Sequence, residues 1–435
     1  MPSELAATGP HVLRRINGQA VLTALRQAAG GTARVSELAA ATGLSRPAVT
    51  RALADLGNDG LVGPLDDGPG TGTGTGSGEE GRPGRPARRV RFRSEMGHVA
   101  GVDIGPHKVL VLIADLSGEI LTTHRATVPP GADAPQLVAL VREGLTEAAR
   151  RAGLEPTDLW AVCAGTPGIV DRERGVVLKA PSIPGWAGPA IVPELREWLG
   201  CPVLLDNDAT LAVLAELRYG PARETRSMVL VHWGERIGTG IIIDGVPLRG
   251  ASGAAGELGF LDLFARLDSP TEPVTRVEPS DGSQLPADGM GPFERLVGAA
   301  EIRRLAAAAY TDARRAAPPG LTDGRSGLAP LFTAASDGDP VALAVVDRVA
   351  ARFARGLAVL LLLLDPGHLV IGGGISEAGD ILLDPIRRHI EGHTLVPTVI
   401  DASQLGGQGV ALGAVRLALE AAESRLGLTL QSGQG

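Results

Sequence analysis

At 435 residues, 44% hydrophobic and 21% charged, the chain has room for about three globular units of ~150 residues each and carries a formal net charge of −8. Its longest purely apolar run, Leu357 to Leu364, lies between Arg355 and Asp365 and falls far short of the ~20 residues a bilayer span needs. The first residues contain no apolar core with a cleavage site, so no membrane contact is expected and a cytoplasmic location is.

Cys163 and Cys201 are the only cysteines. Two lone thiols fit a reducing compartment, cannot form a zinc site by themselves, and are expected in the core. Lys108 and Lys179 are the only lysines, so arginine supplies nearly all the positive charge. Residues 1–95 hold 12 arginines against 9 acids, a net +3, which leaves −11 downstream. Such a split directs any polyanion to the N-terminal segment.

In chain order, Leu13, Ile16, Val21, Leu22 and Leu25 give a helical apolar pattern that stops at Ala29-Gly30-Gly31. Ser36 is expected to cap a second helix over 37–42, Gly43 to allow a turn, and Ser45 to cap a third helix from Arg46. Val49, Leu53 and Leu56 fall on one buried face of that third helix, with Pro47 tolerated in its first turn. Its other face shows Arg46, Thr50 and Arg51, side chains suited to base edges and phosphates in a major groove. A three-helix bundle with solvated arginines is the competing reading, and the strands that follow favour the DNA-reading one.

Leu61-Val62 opens a strand, and Arg89-Val-Arg-Phe-Arg93 alternates as the returning strand of a wing would. Between them, 64–87 is rich in glycine, threonine and serine and is expected to be flexible. Arg82-Pro83 and Arg85-Pro86 place cations on a narrow backbone able to enter an A·T-rich minor groove; a plain linker is the alternative.

From Val99 strands and helices alternate: a glycine-turned run of hairpins to Leu121, a helix near Pro135–Arg151 and an apolar strand Leu159–Ala164 imply a layered α/β body. Local motifs then follow in order. They are Asp103-Ile-Gly105, Thr166-Pro-Gly168-Ile-Val-Asp171, Pro181-Ser-Ile-Pro-Gly185-Trp186, Asp206-Asn207-Asp208-Ala209, Ile237-Gly-Thr-Gly240, Gly250 to Gly259 with Glu257, and Ile371-Gly-Gly-Gly374. Seven motifs in this order resemble the ROK family of repressors, open reading frames and sugar kinases. The resemblance runs from about Gly97 to the last helix and, in the repressor branch typified by NagC and Mlc, includes the preceding winged helix-turn-helix.

The resemblance implies an α/β fold: a winged helix-turn-helix at 1–95, then a two-lobed ribonuclease H-like, actin-like ATPase body at 97–435. The lobes would comprise 97–205 plus the C-terminal helix, and 206–410. It also implies that Asp208 is the family's base position, Asn207 a sugar-contacting amide, and Glu257 and Glu294 further sugar-side acids.

The sequence departs from the family at the phosphate loops. Pro106 stands where an N–H donor is expected, and Glu235, beside Arg236, puts a carboxylate near a triphosphate. Phe260 replaces the histidine that binds sugar and zinc, the cysteine-rich zinc stretch is missing from 263–290, and Ser182 replaces an asparagine. No metal and no cofactor are therefore expected.

The expected function is a DNA-binding transcriptional regulator, without catalysis, that binds duplex operator DNA through Ser45, Arg46, Thr50, Arg51, Arg82 and Arg85. Its cleft would bind a carbohydrate-like effector through Asn207, Asp208, Glu257 and Glu294, in a homodimer or homotetramer. The alternatives are an active sugar kinase with a DNA-binding head, and a ligand-independent regulator controlled by a protein partner.

Overall fold

A computed structural model of the chain describes residues 10–65, 89–188, 191–223, 225–234, 236–262, 289–321 and 327–425. The head forms because three short apolar stripes need each other. Helix α1 (Pro10–Gln27) buries Val21, Leu22 and Leu25. Strand β1 (Thr32–Arg34) leads into α2 (Val35–Thr42), and Gly43 turns the chain in the left-handed region at φ 69°. Helix α3 (Arg46–Asn58) then buries Val49, Ala52, Leu53 and Leu56. Strands β2 (Val62–Pro64) and β3 (Arg89–Phe92) close a small antiparallel sheet in the order β1-β3-β2.

The head differs from expectation in three places. Leu13 (53% exposed) lines an open groove against α3 and Ile16 (36%) one against α2, so both lie outside the core. The cap of α2 is at Arg34, whose N–H donates to Glu37 Oε2 at 2.8 Å, so Ser36 lies inside the helix. The sheet also has a third strand, β1, that the sequence pattern did not announce.

The body contains two five-stranded sheets of one topology. The first is built from β4 (His98–Ile104), β5 (Lys108–Asp115), β6 (Ile120–Thr127), then α4 (Ala134–Arg151) and β7 (Leu159–Thr166). A short ribbon, β8 (Ile169–Asp171) and β9 (Val176–Lys179), precedes α5 (Ile191–Leu199) and β10 (Val203–Asn207). Antiparallel β4, β5 and β6 are extended by β7 parallel to β4 and β10 parallel to β7.

Helix α6 (Asp208–Tyr219) leads to β11 (Met228–Trp233), β12 (Ile237–Ile243) and β13 (Val246–Pro247), again antiparallel. After α7 (Pro292–Val297), α8 (Ala299–Asp312), α9 (Ala329–Ser336) and α10 (Pro340–Leu364), strand β14 (His368–Gly372) joins parallel to β11. Helix α11 (Asp380–Ile390) then leads to β15 (Val399–Ala402), parallel to β14, and α12 (Gly409–Arg425) ends the described chain. Orders β10-β7-β4-β5-β6 and β15-β14-β11-β12-β13 are the same arrangement used twice.

The apolar run Leu357–Leu364 ends α10; Leu357 and Leu361 are buried while Leu363 is 76% exposed. Among the described residues no helix is long and apolar enough to cross a membrane. Helices α6 and α12 cross each other between the sheets, and glycine makes the crossing possible. A Cβ on Gly413 of α12 would collide with the Leu211 carbonyl of α6, and one on Gly101 of β4 with the Ala411 carbonyl of α12. Both expected core cysteines are buried, and Cys163 has its thiol pKa pushed upward by burial.

Candidate functional site

On the head, Ser45 caps α3 by accepting from the Ala48 N–H at 3.4 Å, which fixes where the helix starts. Arg46, Thr50 and Arg51 follow on its exposed side. Thr50 Oγ1 donates to the Arg46 carbonyl at 2.9 Å and Arg51 Nε to the Pro47 carbonyl at 3.4 Å. Neither guanidinium has an acid partner among the described contacts of α3, so both are available to phosphate. Arg91 on β3 is different: it holds Glu95 at 2.6 Å and keeps that carboxyl below its usual range. Arg82 and Arg85 lie outside the described residues.

In the body, motifs from both sheets come together around Asp208. Asn207 ends β10 and caps α6: its Oδ1 accepts from Thr210 N–H at 3.0 Å, and its Nδ2 donates to the Gly168 carbonyl at 2.9 Å. Asp208 begins the helix, accepts from the Ala209 N–H at 2.7 Å, and has its pKa raised by burial, with Asp103 adding to the shift and His232 opposing it. Glu257 comes from the glycine-rich loop after β13. Its pKa is raised to about 7, first by burial and then by the negative charges of Asp208 and Glu294. The structure therefore brings Asp208, Glu257 and Glu294 into one electrostatic neighbourhood from three distant parts of the chain.

Glu294 serves this site from behind. It is 3% exposed, and its two oxygens accept from Ile237 N–H and Gly291 N–H, each at 2.8 Å. Arg236 Nη1 lies 3.5 Å from it. With both oxygens engaged by backbone, this carboxylate ties β12 to the start of α7.

Sequence reasoning missed a clasp between the lobes. Arg249, just after β13, reaches Asp206 on β10 with Nη2 at 2.7 Å and Nε at 3.2 Å. The same loop presses Gly253 against the backbone of Val170, so it spans from one sheet to the other. Opposite partners 43 residues apart left no local signal in the sequence.

The turn from Asp103 to Lys108 is closed on itself. Gly105 N–H donates to the Lys108 carbonyl at 2.8 Å around Pro106, and Lys108 Nζ lies 2.9 Å from Asp103 and donates to the Gly407 carbonyl at 2.6 Å. Glu235 lies outside the described residues. Among the described residues the donors do not fit zinc of the family kind: Phe260 cannot ligate, and both cysteines are buried in apolar cores. In the second lobe a cavity of about 600 Å³ opens among Gly234, Arg303, Phe332, Thr333 and Gly374.

Comparison with known proteins matches residues 99–276 and 308–421 to the ROK family and residues 17–65 to the IclR helix-turn-helix domain. A glucokinase of Streptomyces coelicolor is 32% identical over 336 residues, 75% of this chain and 98% of the relative. The DNA-binding transcriptional repressor Mlc of Escherichia coli is 25% identical over 342 residues, 77% of this chain and 79% of the relative. A solved ROK family transcriptional regulator, described as a homologue of E. coli Mlc, superposes with a TM-score of 0.73 at 21% identity over 96% of this chain and 99% of that one. The chain belongs to the ROK family and carries the DNA-binding head of that family's transcriptional regulators.

Proposed function

We propose that the protein is a transcriptional regulator, acting as a repressor, whose kinase-like cleft binds a carbohydrate-like effector without phosphorylating it. The observation that carries this reading is the asymmetry of the cleft. On the side expected to take sugar, Asn207 caps α6, Asp208 accepts from backbone and Glu257 shares their electrostatic neighbourhood, while the loop expected to take phosphate carries the internal Lys108–Asp103 pair. Pro106 removes an N–H from that loop. Phosphoryl transfer depends on positioning and charge stabilisation at the phosphates, so losing those donors removes the reaction before it removes sugar binding.

Ser45, Arg46, Thr50 and Arg51 would read the operator's major groove, with Arg82 and Arg85 in the minor groove, and two copies would span a two-fold operator. An active kinase with a DNA-binding head is the second reading. It draws on the intact Asp208, on the cavity among Gly234, Arg303 and Gly374, and on the similarity to glucokinases.

The test pairs two measurements on the full chain. Binding to DNA fragments from its own promoter region should weaken at least tenfold in Arg51→Ala and should respond to one member of a sugar and sugar-phosphate panel. ADP release from ATP with D-glucose should stay at background. Sugar-dependent ADP release abolished by Asp208→Ala would establish the kinase instead, and DNA binding indifferent to Arg51→Ala would defeat the regulator.

A further inference from the structure

The contact between head and body centres on one arginine. Arg26 stands in the last turn of α1 with its side chain 22% exposed, and its guanidinium lies 4.9 Å from the ring centroid of Phe92 on β3. From there Nη1 pairs with Glu423 near the end of α12, and Nη2 donates to the Leu116 carbonyl in the turn between β5 and β6. One flat cation thus joins two elements of the head to two elements of the first lobe. The apolar contacts agree: Leu116 is 3% exposed and belongs to the head's core, and Trp160 and Leu419 pack against that core from the body. The connector is pinned as well, since Leu116 N–H donates to the Ser94 carbonyl at 3.1 Å and Gly97 lies directly beneath the Trp160 ring.

Helix α12, which carries Glu423, has no freedom of its own. Gly101 and Gly165 lay it on β4 and β7 with no room for a methyl group, and Gly413 seats it on the backbone of α6. At its other end the Gly407 carbonyl holds Lys108, the partner of Asp103 in the cleft. Packed interiors transmit displacement instead of absorbing it.

We infer that Arg26 clamps the DNA-binding head to the first lobe, so that head, first lobe and α12 move as one rigid body. What that coupling would signal rests on the sensing role proposed above; the clamp does not.

The test places nitroxide spin labels on the full chain at Asp59→Cys on the head and Glu143→Cys on α4; Cys163 and Cys201 are buried and stay unlabelled. Pulsed-dipolar spectroscopy should give one narrow distance distribution. Glu423→Arg should widen it at least twofold, Glu423→Gln should widen it less, and Arg26→Glu combined with Glu423→Arg should restore the narrow width. The Gln variant keeps the question open to measurement if the Arg variant misfolds. A broad distribution in the labelled parent, or an unchanged width in the folded Glu423 variants, overturns the clamp. Loss of DNA or sugar response with the narrow width intact would instead defeat the sensing role and leave the clamp standing.

Discussion

Glu257 is the residue at which burial and function conflict most openly. Its carboxyl is held near 7 by burial, then by Asp208 and Glu294. Because the folded-state value lies above that of the unfolded chain, the favourable contribution is complete below the ordinary glutamate range and is lost as pH rises through 7. A single pKa unit corresponds to about 1.4 kcal/mol, and solvent at the cleft mouth screens part of the shift. Glu257→Gln should therefore raise the midpoint of thermal unfolding at pH 8.5, by roughly 2 kcal/mol of stability, and change it little at pH 5. Equal midpoints at both pH values would show that the group titrates normally. Carboxyls perturbed in this way gather at functional sites. Its position in the glycine-rich motif was legible in the sequence, but its charge neighbours were not, because Asp208 and Glu294 approach it only through the fold.

At the scale of elements, what the sequence displayed was local. Gly43 turning at φ 69°, the Ser45 cap and the buried Val49, Leu53 and Leu56 each depend on residues within two turns of each other. Ser45→Ala should cost about 1 kcal/mol of head stability by leaving the Ala48 N–H unpaired, read as an earlier unfolding of the head and a weaker grip on DNA. Features that depend on distant partners stayed hidden: β1 joining the wing sheet, Leu13 and Ile16 left outside the core, Arg249 reaching Asp206, and the repetition of one sheet topology. The helix crossing belongs to this second group. A methyl group on Gly413 meets backbone of α6, which cannot rotate away, so Gly413→Ala should lower stability by about 3 kcal/mol. Gly406→Ala makes a fair control, since a Cβ there meets nothing within 4 Å, although its φ of 53° carries a smaller strain of its own. Chemical denaturation of the two variants should separate them clearly; a near-neutral Gly413→Ala would mean that α6 and α12 have slack between them.

For the whole molecule, the charge arrangement governs how DNA is met. The chain carries a net −8, with its positive excess confined to the first 95 residues, so a duplex is attracted to the head and repelled by the body. Binding that depends on a few arginines releases counterions in proportion to the phosphates they neutralise. Log affinity should fall linearly with log salt, each phosphate contact contributing about 0.9 to the slope. Among the described residues Arg46 and Arg51 have no acid partner on α3, whereas Arg91 is already paired with Glu95. Replacing Arg46 and Arg51 together by alanine should reduce the slope by up to ~2, while Arg91→Ala should leave it within ~0.3 of the parent value. Asp208→Asn, far from the head, should leave the slope unchanged even if it alters the response to sugar. Salt titrations of the four proteins on one promoter fragment would separate these effects. If the slope falls with Arg91→Ala and not with the α3 pair, the wing strand is the phosphate-binding element and α3 is not the reading helix.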